Sequence, residues 1–253
     1  MVIMKPESKN VHYYVTAYFV LWILLFEFLL PVNSVLPKPS IVLESFSDLW
    51  INYKLPINFI STVAVIYISL SMAYLFVYLL RSFLIGKNNF ITGFILSLEW
   101  FSKYVPGIAI GLLLIFWFPD SEFIEFIFAF STAFLSMVLK IQLKLSEVRL
   151  DYIDAARSLG MEERVIKRDI LWKMLQPELS KHLFVIHLYI WAMLIAFEFM
   201  KGGLGIGVIF KKAIEFQDLS ALFSTFLITG LTVYLGTALL KAVTNKFIYW
   251  SID

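Results

Sequence analysis

Residues 151–179, DYIDAARSLGMEERVIKRDILWKMLQPEL, form one long charged passage in a chain that is otherwise mostly hydrocarbon. Within it an acid, two alanines and a glycine are spaced as Asp154, Ala155, Ala156 and Gly160. Ile153, Ala156 and Leu159 recur at helical spacing, and Gly160 follows as the residue able to take the left-handed C′ position. Glu162 and Glu163 then fall in the first turn of a second helix, where carboxylates suit the positive end of the dipole. Arg164, Lys167, Arg168 and Lys173 line its polar side, and Pro177 marks its end or a kink. The spacing offers no bond-making chemistry: it is read either as a docking surface or as a solvated amphipathic loop. Ala155 and Ala156 keep the surface low for a partner's groove, and Leu159 and Met161 are apolar knobs at the tip. Asp154 and Arg157 are placed to pair across that contact or within it.

Reactive groups elsewhere are sparse. With no cysteine, disulfides, thiolate nucleophiles and zinc–thiolate sites are excluded. No phosphate-binding G-x-x-x-x-G-K-[ST] exists: beside Gly86-Lys87, Arg81 occupies the first glycine position and Asn88 that of Ser/Thr. His182 and His187 stand five apart, not at the i, i+4 spacing that shares a helix face, and no metal site is expected. Glu198 precedes a glycine-rich loop, 201–207, KGGLGIG. It is read either as fixing Gly202, Gly203 and Gly205 as an outer gate or as an interfacial carboxylate. The glycines themselves suit a hinge or tight packing, since phosphate cradles follow a strand. Glu27, Glu99, Glu122, Glu125 and Lys140 sit near the ends of apolar runs, where charge can reach the interface.

These residues must be held by membrane-spanning helices. The 253 residues are 60% hydrophobic and 16% charged, against about 45–50% and about 25% in soluble domains, and mean hydropathy is +0.82. Six segments approach the ~20 apolar residues a span needs: 11–30, 57–85, 104–118, 123–145, 183–200 and 219–243. The first is too long for a signal-peptide core and is read as retained. The third is short, and its approach, residues 90–103, is expected to be a separate interfacial helix or part of one helix kinked at Pro106-Gly107. With the N-terminus inside, sixteen of the 21 Lys and Arg fall on the cytoplasmic side, the bias that sets orientation. Both termini and the charged loop, 146–181, are then cytoplasmic. Basic residues placed by insertion give no support for nucleic-acid binding. On the outer side, LPKPSIVLESFSDLW (36–50) is expected to be a surface helix N-capped by Ser40, with Val42, Leu43, Phe46, Leu49 and Trp50 as its apolar face. A second amphipathic piece is expected at 208–216.

Asp154-Ala155-Ala156 with Gly160, Ile170 ten positions on, and Pro177 resemble the "EAA" signature of ABC importer permeases. Asp154 stands for the usual glutamate, and Lys173 where the first proline is expected. The chain further resembles the nitrate/sulfonate/taurine branch of the binding-protein-dependent permeases, through LPKPS, WFSKYVP (100–106) and Ala196-Phe197-Glu198 followed by Gly202-Gly203-Leu204-Gly205. This resemblance implies an all-α type I ABC importer permease fold, one domain over 1–253, in a bacterial inner membrane. It implies no enzymatic activity and no cofactor in this chain, with ATP and Mg held by a partner ATPase dimer. The other implied partners are a second permease copy, making a homodimer, and an extracytoplasmic substrate-binding protein. ATPase coupling would fall to Asp154, Ala155, Ala156, Arg157, Leu159, Gly160 and Met161, and the solute would be a small anion. An integral membrane enzyme or a non-transporting scaffold subunit are the alternatives.

Overall fold

The computed structural model describes residues 8–30, 36–85, 89–148, 150–248 and 250. Lys5, Gly86, Lys87, Asn88 and Arg149 lie outside these, as do the side chains of Lys9, Glu99 and Lys103. Among the described residues there is no strand. The helices are α1 (Ser8–Ile23, continued by a π turn, Leu24–Leu29), α2 (Pro39–Ile51), α3 (Leu55–Leu84), α4 (Asn89–Tyr104) and α5 (Gly107–Trp117). They continue with α6 (Ile124–Leu145), α7 (Leu150–Ser158), α8 (Glu163–Lys201), α9 (Ile206–Glu215) and α10 (Leu219–Phe247). Four of them, α3, α6, α8 and α10, are long and apolar enough to cross a membrane, and Tyr13–Leu29 and Gly107–Trp117 are shorter apolar helices. These correspond in order to the six segments expected.

α3, α6 and α8 form the centre. Their buried residues recur at helical spacing: Ile66, Leu70, Ala73 and Val77 on α3, Ala129, Ala133, Met137 and Ile141 on α6, and Ile186, Ile190 and Leu194 on α8. The small side chains at 73, 129 and 133 let the helices approach closely, which matters where lipid removes the hydrophobic drive for association.

The structure decides one open alternative and changes two expectations. Residues 90–118 are two helices, because Pro106 sits in extended backbone between α4 and α5 and cannot supply an interior helical N–H. The segment after Gly160 is no short helix: it runs without interruption into the fifth span, with Pro177 inside it. A π turn at Ile166–Leu171 adds a residue to one turn and so brings Ile166 and Leu171, five apart, both inward. Finally, α2 exists but Ser40 does not cap it. Lys38 is the N-cap with Pro39 beginning the helix, and the Ser40 amide donates to Glu27 Oε2 at 3.1 Å. Only Val42, Ser45 and Leu49 of α2 are buried; Ser45 Oγ meets Ser224 Oγ of α10 at 2.6 Å, while Leu43 and Trp50 face outward.

α10 starts on a cap. Asp218 Oδ1 accepts from the Ala221 amide (2.9 Å) and Ser220 Oγ (2.7 Å), and Oδ2 from Tyr53 Oη (2.9 Å). Burial raises the Asp218 carboxyl, but these donors outweigh it and hold it below its ordinary value. The Tyr53 hydroxyl, through burial first and the Asp218 bond second, is pushed up to about 12. Asp218→Ala is expected to cost about 1 kcal/mol at neutral pH, read as the thermal midpoint in detergent. Because the folded pKa is depressed, that contribution is present above the unfolded carboxylate range and vanishes as pH falls through the folded value. The two proteins should therefore converge in acid, and a gap that persists there would contradict the cap. Tyr53 has the opposite sign, its contribution being lost as pH rises through about 12.

Candidate functional site: a handle and a latch joined by one helix

The charged passage folds as a protrusion closed by a glycine turn. α7 ends at Ser158, and Gly160 adopts φ +75°. The Gly160 amide donates to Arg157 O (2.9 Å) and the Met161 amide to Ala156 O (3.2 Å), the paired bonds of a Schellman motif. Nothing lies where a Gly160 Cβ would point, so the backbone angle alone requires glycine here.

Arg157 staples the turn from outside. Its Nε donates to Glu163 Oε1 (2.6 Å) and its Nη1 to Asp154 Oδ1 (3.2 Å). The Glu163 bond is the main reason the guanidinium's pKa is raised. The Asp154–Arg157 pair is thus made within the loop. The exposed face presents Asp154, Ala155, Arg157 and Leu159, the last 82% exposed.

Two residues expected on that face are elsewhere. Ala156 is 4% exposed and packs in the protein's own core with Ile166, Leu171 and Trp172, and Met161 packs against the same cluster. Ile153 and Ala156 share the inward stripe of α7. Leu159 follows the last helical residue, so the turn carries it outward despite its i+3 spacing.

α8 leads from this handle to the opposite end of the bundle, about 58 Å away at 1.5 Å per residue over its 39 residues. There, fully buried Glu198 faces the start of α9. A helix start exposes amides without helical partners, and here side chains take them. Gly205 N donates to Asn58 Oδ1 (2.9 Å), Ile206 N to Thr62 Oγ1 (2.8 Å), and Gly207 N to Glu198 Oε2 (2.9 Å). Thr62 gives its hydroxyl proton to Glu198 Oε1 (2.7 Å), and Asn58 Nδ2 donates to Tyr53 O (2.9 Å). The carboxylate also lies at the positive end of the α9 dipole. Near it, Lys201 Nζ pairs with the buried Glu125 at 3.1 Å.

The glycines divide by role. Gly205 has φ +126°, and a Cβ there would run into the Glu198 carboxylate. Gly207 lies against the α8 backbone at Ile195 and Phe199. Gly202 and Gly203 have positive φ but open space around them. The structure therefore joins Glu198 to Gly205 and leaves Gly202 and Gly203 as the turn between them. Asn58, Thr62 and Gly207 belong to the latch and were not singled out in the sequence. Their signal was two polar residues four apart at the start of an apolar span.

Mid-way along α8, buried His187 is held by three elements. Trp191 Nε1 donates to its Nε2 (2.9 Å), Tyr67 Oη lies 3.2 Å from the same atom, and Thr237 Oγ1 lies 3.4 Å from Nδ1. Indole N–H can only donate, so Nε2 accepts and a neutral ring carries its proton on Nδ1. His182 instead meets Ser136 Oγ at 2.9 Å. Among the described residues no three His, Asp or Glu side chains gather as a metal site.

The model of one protein family, described as "Binding-protein-dependent transport system inner membrane component", matches residues 79–248. The match takes in the handle, the whole of α8, and α9 and α10. No curated protein matches the chain.

Proposed function

We propose a function from one premise: the chain belongs to the family of binding-protein-dependent transport system inner membrane components, the permeases of ABC importers. It is a multi-pass inner-membrane transport subunit, not an enzyme, of a system that includes an ATPase and a substrate-binding protein. In our reading, two copies line a path for a small anion of the nitrate, sulfonate or taurine kind. The ATPase dimer, holding ATP and Mg, grips the 151–177 loop from the cytoplasm, the side on which both termini also lie.

The observation that carries this reading is the stapled glycine turn with Leu159 standing out of it. A force transmitter must be rigid in itself and exposed where it is gripped, and the Schellman bonds and Arg157 supply the first. Exposed ion pairs are individually weak, but here they close a turn whose backbone is already fixed. α8 begins within the gripped loop, just past its glycine turn, and ends in the latch, so displacement of one end is delivered to the other. Rigid-body motion of such an element gives alternating access. Glu198, with Gly202, Gly203 and Gly205, would then hold the outer gate.

The test is reconstitution of the chain with its ATPase and binding protein in liposomes. ATP-driven uptake of nitrate or a sulfonate, and hydrolysis stimulated by the loaded binding protein, are expected. Hydrolysis indifferent to the loaded binding protein would defeat the coupling, and uptake confined to cations would defeat the anion assignment.

A further inference from the structure

Pro177 lies inside α8, and proline has no amide hydrogen. The carbonyl four residues earlier, that of Lys173, therefore lacks its helical donor. In the structure the indole Nε1–H of Trp250 donates to this carbonyl at 3.0 Å. Trp250 lies just past the end of α10, where the Ile248 amide closes the helix on Thr244 O (2.8 Å) and Ile248 leaves helical geometry. The bond thus crosses from the exit of the last span to the part of α8 that closes the 151–177 loop.

The surroundings explain why such a cross-tie has work to perform. Beside it α8 and α10 do not pack tightly. They flank a groove of about 650 Å³ whose walls include Tyr74 of α3, Gln176 and Leu183 of α8, and Leu240 and Phe247 of α10. α10 has few buried residues, and its last turns expose Leu239, Val243 and Phe247. Lys173 itself is exposed, so water can also satisfy its carbonyl. What Trp250 adds is a connection, not the rescue of a buried polar group.

We propose that Trp250 is a positioning residue: it replaces the amide that Pro177 removes, and so ties the end of α10 to α8 at the C-terminal end of the 151–177 loop. Movement of the handle is then passed to α10 as well as along α8. This inference rests on the 151–177 loop being the ATPase handle.

The test uses the reconstituted full complex and three variants, Trp250→Phe, Pro177→Ala and the double variant. Trp250→Phe keeps the ring and deletes the donor, and Pro177→Ala returns the carbonyl to its own helix. Each is expected to raise amide hydrogen exchange over residues 244–248 several-fold. Each should also lower solute transported per ATP hydrolysed about three- to tenfold, the range one net hydrogen bond supports. Because both break the same link, the double variant should be no worse than either alone. The ATPase should co-purify undiminished with Trp250→Phe, because Trp250 lies outside the 151–177 loop. Unchanged exchange in Trp250→Phe overturns the inference, as does an unchanged transport-to-ATP ratio or simple additivity in the double variant. Full ATPase binding by a Leu159→Glu protein would instead strike at the handle reading, independently of the tie.

Discussion

A Gly205→Ala protein is expected to insert into the membrane and to lose transport by about 100-fold or more. The new methyl would have to occupy the position of the Glu198 carboxylate, at a backbone angle of φ +126° that only glycine adopts readily. Backbone strain of this kind costs roughly 1–3 kcal/mol, and each buried donor left without its Glu198 acceptor about 1–3 kcal/mol more. Together these exceed the roughly 2.7 kcal/mol that a hundredfold shift from docked to undocked α9 requires. Gly203→Ala is the matched control: its φ of +91° is also unfavourable, but its Cβ would point into open space, so a much smaller loss is expected. Uptake in proteoliposomes and protease sensitivity of residues 206–215 measure the two consequences. Normal uptake by Gly205→Ala, with α9 still protected, would show that the latch is dispensable.

Leu159→Glu is expected to leave the protein's abundance and thermal midpoint unchanged while reducing ATPase co-purification at least about 30-fold. A side chain 82% exposed makes little contribution to the isolated chain, so folding should shift by no more than about 0.5 kcal/mol. An apolar anchor seated in a partner's pocket is worth about 2 kcal/mol or more when lost, and a buried glutamate in its place adds a desolvation penalty. Ala156→Leu is not an equivalent probe. Ala156 packs in the chain's own core, where the larger isobutyl side chain costs about 1–3 kcal/mol whether or not an ATPase is present. Gly160→Pro breaks the Schellman turn by forcing φ near −65° where +75° is required. ATPase retained in full by the Leu159→Glu protein would move the contact to another surface.

The contrast between these residues shows what could be read from the chain alone. The apolar runs, the glycine turn at Gly160 and the existence of a helix at 39–51 are local, set by hydropathy and backbone preference within a few residues. The inward direction of Ala156 was not legible, since a nine-residue helix with alanines at adjacent positions can turn either toward its own core. The latch was half legible. Glu198 and the glycines are near neighbours in sequence, but Thr62 lies 136 residues from Glu198 and Asn58 lies 147 from Gly205. Such pairs depend on how α3 and α8 dock. Both helices are apolar on nearly every side, so periodicity does not reveal which face turns inward. The cap at Ser40 failed for a related reason: a carboxylate from the first span, Glu27, supplies the amide's partner.

The π turn at Ile166–Leu171 gives α8 two angular phases. One residue more in a single turn displaces everything beyond it by roughly 100° relative to everything before it. A cysteine-labelling scan from Glu163 to Lys201 would consequently trace two reactive stripes offset around the cylinder instead of a single line. Any helical wheel drawn straight through from Glu163 would assign Trp172, Leu175 and Leu179, all buried, to the wrong quadrant.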